Sequence, residues 1–228
     1  MAWGACIRNP ATGSKQIDQN FFNLALVSKQ TITSAATRVA GLTRELSYAE
    51  ITINSTIFPI VAIACAYGYL PVSVSKSGND WTFGYWVDGL SRSITCYVFG
   101  QPAALGPGWG MRIKKGGQVM FDSRHRYLRR VARVSIGNNG TLASGRTYAS
   151  TVSNTGLYYT KQVEYLGGSL WRVTEAQSRG VITVSGTSWG YGQSSLNAYF
   201  QETGINPGAS ATYNSPAQQA SILDVTDY

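Results

Sequence analysis

Charge is scarce in this chain. Only 13% of its 228 residues are Asp, Glu, Lys or Arg, about half the usual share of a soluble protein. There is one histidine, and the three cysteines stand far apart with no C-x-x-C pair. These shortages exclude most site chemistry. A metal site needs clustered His, Cys, Asp or Glu; none occurs, so no metal and no cofactor is expected. His125 lies between Arg124 and Arg126, where cationic neighbours disfavour its protonated form and nothing orients it as a base. It reads as a surface residue. The carboxylate pair weighed for a glycosidase, Asp80 with Asp88, falls in turns that suit Asp for local reasons. "GPGWG" alternates glycines but has no following helix to hold a phosphate, so it reads as a linker, and "SWGYGQ" fails as a phosphate loop for the same reason. No catalytic residue is assigned and no enzymatic activity is expected.

Long apolar runs are missing as well. The longest, Ile57 to Ala66, contains Pro59 and is too short to span a bilayer. The opening "MAWGACIRNP" has neither the basic start nor the apolar stretch of a secretory signal. No membrane insertion is expected. Odd, unpaired cysteines suit folding in a reducing cytoplasm, and Cys65 and Cys96, in apolar strand-like runs, read as buried free thiols. Glu and Lys are too few for a helical bundle. Gly (25), Tyr (14) and Trp (6), with long Ser/Thr tracts, give the balance of a turn-rich all-β protein. At this length one large β domain or two smaller ones can bury a core.

The charge that exists is concentrated. Net charge is +8, and eight of nineteen Lys and Arg fall between Arg112 and Arg133 beside a single acid, Asp122. Strand alternation there places Tyr127, Arg129, Val131 and Arg133 on one face and Leu128, Arg130 and Ala132 on the other. A nucleic-acid groove prefers one continuous cationic surface, so nucleic acid is not the favoured partner. Lys114, Lys115, Arg124, Arg126, Arg129, Arg130 and Arg133 are assigned instead to a protein–protein interface, where the planar fork of Arg meets carboxylates. A solvated basic face and a polyanion site are the alternatives.

The same segment is one half of a repeat. With one two-residue gap, "WGACIRNPATGSKQIDQNFFNLALV" overlays "WGMRIKKGGQVMFDSRHRYLRRV". Trp3 matches Trp109, Ile7 matches Ile113, Arg8 matches Lys114 and Gly13 matches Gly117; then Ile17 matches Phe121, Asp18 matches Asp122, Leu24 matches Leu128 and Val27 matches Val131. Each copy reads as a hairpin whose second strand ends at an Asp that accepts a backbone N–H, so Asp18 and Asp122 are structural turn residues.

Between the copies, Ile51–Ile53, Ile57–Ala66, Leu70–Ser75, "WTFGYWV" and "SITCYVFG" read as strands. The second is apolar enough to be buried on both faces. Trp81, Phe83, Tyr85 and Val87 share one face, and Ile94, Cys96 and Val98 point inward. Short turns suggest an antiparallel meander on one side of a sandwich. "GQPAALGPGWG" is the best internal boundary. Residues 28–50 form either a short helix or an extended arm. Beyond Val131, "NNG" marks a turn, "QVEYLGGSLWRVTEA" a hairpin, and "GVITVSGTSWGYG" a further strand. From Gln193 apolar periodicity fades, as in a tail ordered only against a partner. The expected organisation is all-β, with antiparallel sandwich-like modules at 1–104 and 105–192 related by the repeat, and an extended tail at 193–228.

The string "WGMRIKKGGQVMFDSRHRYLRRV", preceded by "YVFGQP" and a Gly-rich linker, resembles a recurring pattern in small tail proteins of long-tailed bacteriophages. The resemblance covers Ile51 to Val134 and, through the repeat, the first 27 residues; nothing from Gly140 onward shares it. It implies a non-enzymatic virion component of the tail tip or fibre region, made in the host cytoplasm and oligomeric with other tail proteins. A carbohydrate-binding module is the alternative from another class, with Trp171, Trp189 and Tyr191 as stacking residues and a host-surface glycan as partner. A polyanion- or DNA-binding protein is the second alternative.

Overall fold

In the computed structural model, residues 6–8, 15–18, 23–40, 45–154, 157–168, 170–203, 208–214 and 219–228 are described. They form eighteen strands, with no helix among the described residues. In the first half these are β1 (Cys6–Arg8), β2 (Lys15–Asp18), β3 (Ala25–Thr33), β4 (Leu46–Asn54), β5 (Ile60–Ala64), β6 (Tyr69–Ser77), β7 (Asp80–Asp88) and β8 (Ser93–Gly100). The second half supplies β9 (Arg112–Lys115), β10 (Gln118–Asp122), β11 (Arg130–Ser135), β12 (Asn138–Thr141) and β13 (Tyr148–Asn154). It continues with β14 (Leu157–Gly167), β15 (Leu170–Ser185), β16 (Ser188–Thr203), β17 (Ala211–Asn214) and β18 (Gln219–Asp224).

Twelve of these strands make a sandwich with an internal two-fold pattern. One sheet runs β11-β18-β13-β5-β8-β3 and the other β12-β16-β15-β6-β7-β4, with β14 and β17 added beside β15. Each half of the chain therefore gives three strands to each sheet, and the halves meet at β5/β13 and at β6/β15. Ile51, Ile63, Phe83, Val87, Cys96, Ile182 and Ile222 pack in the core formed by residues of both sheets. At the seam the buried Tyr69 hydroxyl donates to the Ser150 carbonyl at 2.6 Å and lies 2.9 Å from its Oγ. A buried phenol needs such a partner.

The six-stranded sheet is covered on its other face too. Ala62, Tyr97, Phe99, Ala149, Leu223 and Val225 form a second cluster there, with Leu24, Leu26, Leu128 and Tyr228 against it. This is why the run around β5 is apolar on both faces. The alternations read for Phe83, Tyr85 and Val87, and for Ile94, Cys96 and Val98, also hold: all six lie in the core between the sheets, with Trp81 packed against it.

The repeat is structural. In the first hairpin Ile7 pairs Ile17, Cys6 pairs Asp18 and Arg8 pairs Lys15. In the second, Ile113 pairs Phe121, Arg112 pairs Asp122 and Lys114 pairs Val119. Under the sequence alignment these are equivalent pairs, and both ladders slip at the equivalent step. The correspondence continues beyond the hairpins. The β3–β8 register shifts between Leu26 and Ser28, and the β11–β18 register between Arg130 and Ala132. The bulged residues, Val27 and Val131, are equivalent, and each is 49% exposed.

Several expectations need correction. The first-half strands are not a meander: the chain crosses between sheets, with β5 and β8 in one and β4, β6 and β7 in the other. A hairpin and two strands of opposite sheets look alike in sequence, because both alternate with period two. Among the described residues, 28–50 hold neither a helix nor an arm: β3 runs through Thr33, β4 begins at Leu46, and Arg38 between them bridges Ser47 of β4. The segment 193–228 is not an extended tail: β16 runs to Thr203, and β18 pairs both β11 and β13 inside the six-stranded sheet. The modules are not separate bodies at 1–104 and 105–192, because both sheets run through both halves. The face alternation read across 127–133 also fails. Leu128 packs in the outer cluster whereas Ala132 packs in the core between the sheets, because the bulge at Val131 shifts the period by one residue.

Candidate functional site

The cationic segment folds as the β9–β10 hairpin, a tight connection, and edge strand β11. Its "FDS" triplet is explained by one ring stack and four hydrogen bonds. Phe121 stacks on Tyr127 with ring centroids 4.8 Å apart and planes 13° from parallel. Tyr127 holds the Asp122 backbone from both sides, accepting its N–H at 2.6 Å and donating to its carbonyl at 3.0 Å. Ser123 exchanges bonds with Met111: its N–H donates to the Met111 carbonyl at 2.8 Å, and its Oγ accepts the Met111 N–H at 2.9 Å. Gly110, at φ +152°, allows that approach, since a Cβ there would stand 2.7 Å from the Ser123 Oγ.

Asp122 is buried and sits between two arginines. Its Oδ2 accepts Arg112 Nε and Arg124 Nη2, each at 2.7 Å, while its Oδ1 accepts Arg124 Nε at 2.9 Å. The Arg124 N–H also donates to Oδ1 at 3.1 Å, closing the turn around the carboxylate. These bonds, that of the Arg124 guanidinium foremost, hold the Asp122 carboxyl well below the usual carboxylate range. The remaining donors of both arginines tie down the Gly-rich linker through the Leu105 and Gly106 carbonyls. The side chain of Asp18, the equivalent residue, lies outside the described residues.

Asp224 makes a second carboxylate node. It is buried at the end of β18, contacts Arg129 at 3.5 Å and Arg146 more closely, and accepts the Thr226 N–H at 3.0 Å. Burial raises its pKa, but bonds from Thr226 and Arg146 with the charge of Arg129 outweigh that, and the net shift is downward. Arg129 also donates to the Thr226 carbonyl and lies over the Tyr228 ring. Arg133 bonds the Gln219 side chain.

Thus three of the seven assigned cations, Arg124, Arg129 and Arg133, are satisfied within the chain. Lys114, Arg126 and Arg130 have no side-chain hydrogen bond or ion pair among the described residues. Arg126 lines a cavity of about 370 Å³ with Tyr127, Arg129, Thr226 and Tyr228. Arg130 stands on an edge strand, where charge and a bulge oppose unwanted pairing with another sheet. Beside the hairpin, Trp109 is 100% exposed and Met111 45%. Sequence reasoning noted Trp109 only as a repeat match; its complete exposure follows from the linker geometry.

The residues weighed for other chemistry are dispersed. His125 Nε2 lies 2.8 Å from the Ala103 carbonyl, fastening the linker. Asp80 and Asp88 begin and end the nine-residue β7, about 26 Å apart at the usual strand rise, far beyond the reach of a glycosidase pair. Of the stacking candidates, Tyr191 is buried in the core and the half-buried Trp189 packs against it; Trp171, half-buried too, pairs with Tyr165 at 4.6 Å. Among the described residues no group of three His, Cys, Asp or Glu could hold a metal ion. Comparison of the chain with protein-family models, curated proteins and solved structures gives no match.

Proposed function

We propose that this chain is a structural component of a bacteriophage tail, at the tail tip or fibre attachment, acting in assembly rather than in catalysis. The observation that carries the reading is the duplicated hairpin. The segment that resembles tail proteins occurs twice with one register, and the second copy holds Trp109 wholly in solvent. Large aromatic side chains are rarely left in water by free-standing proteins and are enriched where partners dock. Lys114, Arg126 and Arg130, which have no side-chain hydrogen bond or ion pair among the described residues, would meet carboxylates or carbonyls of a neighbouring tail protein, and Arg126 opens on a cavity large enough to admit an acidic side chain. On this reading the chain is made in the host cytoplasm and ends in the virion, and any contact with the host surface follows from its place in the tail.

The test is incorporation into particles made by the genome that encodes it. The variants are R126E/R130E and Trp109→Ala, which touch no internal ion pair among the described residues. Both are expected to fold and to be missing from purified virions. Normal incorporation of both, or absence of the wild-type chain from virions, would overturn the reading.

A further inference from the structure

The two halves of the chain serve as controls for each other. The first half joins β5 to β6 through residues 65–68 and turns β6 into β7 as nine-residue strands. The second half inserts β14 between β13 and β15, lengthens β15 and β16 to sixteen residues each, and adds β17. Only the end of β15 around Ile182 pairs with β6. From Leu170 to Arg179 it pairs with β14 and β16 instead, so the extra strand length carries the hairpin about 23 Å further. Since the first half completes its share of the sandwich without this arm, the fold does not require it.

The end of the arm is graded by polarity. At its turn, Gly167 and Gly168 both have positive φ, and Leu166 and Leu170 flank them, each 38% exposed. One step below, Tyr165 faces Trp171 across the ladder, with Tyr165 57% exposed. One step further, Arg172 and Glu164 form an ion pair at 3.5 Å. No charged residue occurs from 165 to 171. Aliphatic side chains outermost, amphipathic rings next and charges last is the depth order in which side chains distribute across a membrane–water interface.

We infer that the arm tip is a peripheral lipid-contact site, placing Leu166 and Leu170 among acyl chains and the Tyr165–Trp171 pair at headgroup level. A protein-docking tip fits less well, because leucine is under-represented among the residues that dominate protein interfaces. No membrane-spanning run is needed for such contact, so the absence of one in the sequence does not bear on it. The arm is remote in sequence from the β9–β10 hairpin, and the inference does not rest on the tail reading.

Flotation of the full chain with phosphatidylcholine vesicles tests it, wild type against L166D/L170D. The wild type is expected to float, and the double variant to lose at least about tenfold in partitioning with an unchanged melting curve, because both leucines are exposed. L166S/L170S serves as the second variant should the aspartates disturb folding. A wild type that stays with the unbound fraction, or a folded variant that floats as well as wild type, overturns the inference. So does retention on a glycan column that Trp171→Ala abolishes in a chain that ignores vesicles. Particle incorporation plays no part in any of these outcomes.

Discussion

Leu24 and Leu128, equivalent residues of the repeat, lie opposite one another: the Leu128 N–H donates to the Leu24 carbonyl at 2.9 Å, and Ala25 bridges Tyr127 beside them. An antiparallel contact between equivalent residues places a pseudo-two-fold axis between them. The same axis relates β3 to β11, β8 to β18 and β5 to β13 in one sheet, and β4, β7 and β6 to β12, β16 and β15 in the other. The chain is thus a fused pair of modules that share one core.

A cut at the exposed Ala103–Ala104 linker should therefore leave the protein assembled. The nicked halves are expected to co-elute in native size-exclusion chromatography, and either half expressed alone to be unfolded by circular dichroism. Halves that separate and stay folded would mean that the sheets do not depend on the seam.

At that seam, Tyr69→Phe removes a buried hydroxyl that bonds Ser150 twice. The expected loss is about 1–1.5 kcal/mol of stability by denaturant titration. An unchanged midpoint would show that the bond contributes nothing net.

Val131→Ala at the bulge should be tolerated within about 0.5 kcal/mol, as for other exposed sites. Deleting Val131 is a different matter, because it removes the extra residue that sets Leu128 and Ala132 on opposite faces. The deletion variant is expected to lose cooperative unfolding, and a normal melting curve for it would refute the parity argument.

Asp122 and Asp224 both have carboxyl pKa values lowered in the folded chain. The stabilisation they give is fully present above the unfolded carboxylate value of about 4 and is lost as pH falls through their folded values. Melting temperature should hold steady from neutral pH to about 5 and then fall. Asp122→Asn should lower the neutral-pH melting temperature and flatten the acid limb; an unaltered acid limb in both D122N and D224N would locate the effect elsewhere.

Burial pushes the Cys96 thiol up to about 12 and the Cys65 thiol up to about 11. Cys96 is buried and Cys65 half-buried, its Sγ donating to the Tyr67 carbonyl at 3.1 Å. Thiolate is the reactive form, so labelling of both at neutral pH should be slow in the native protein and fast in denaturant. Rapid native modification of either, seen by peptide mass spectrometry, contradicts this.

The sequence by itself determined the all-β class, because hydrophobic alternation and turn chemistry are local properties of the chain. It determined the two hairpins as well, and their common register, through residues matched across a single two-residue gap. It also marked the burial of β5 on both faces, which an unbroken apolar run requires. Which sheet each strand joins was decided only by the tertiary structure, since a period of two is the same on either side of a sandwich. The place of β18 was decided there too: a six-residue strand after a long polar stretch carries no signal of the partners that bury it. The cationic segment shows the same division. Its charge was plain in the sequence, but Asp122 and Asp224, eleven and ninety-one residues from Arg133, absorb part of it only once the chain has folded. Among the described residues, what separates the arginines that meet a carboxylate from Arg126 and Arg130 is where the fold brings Asp122 and Asp224, and for Asp224 that depends on contacts between residues far apart in the chain.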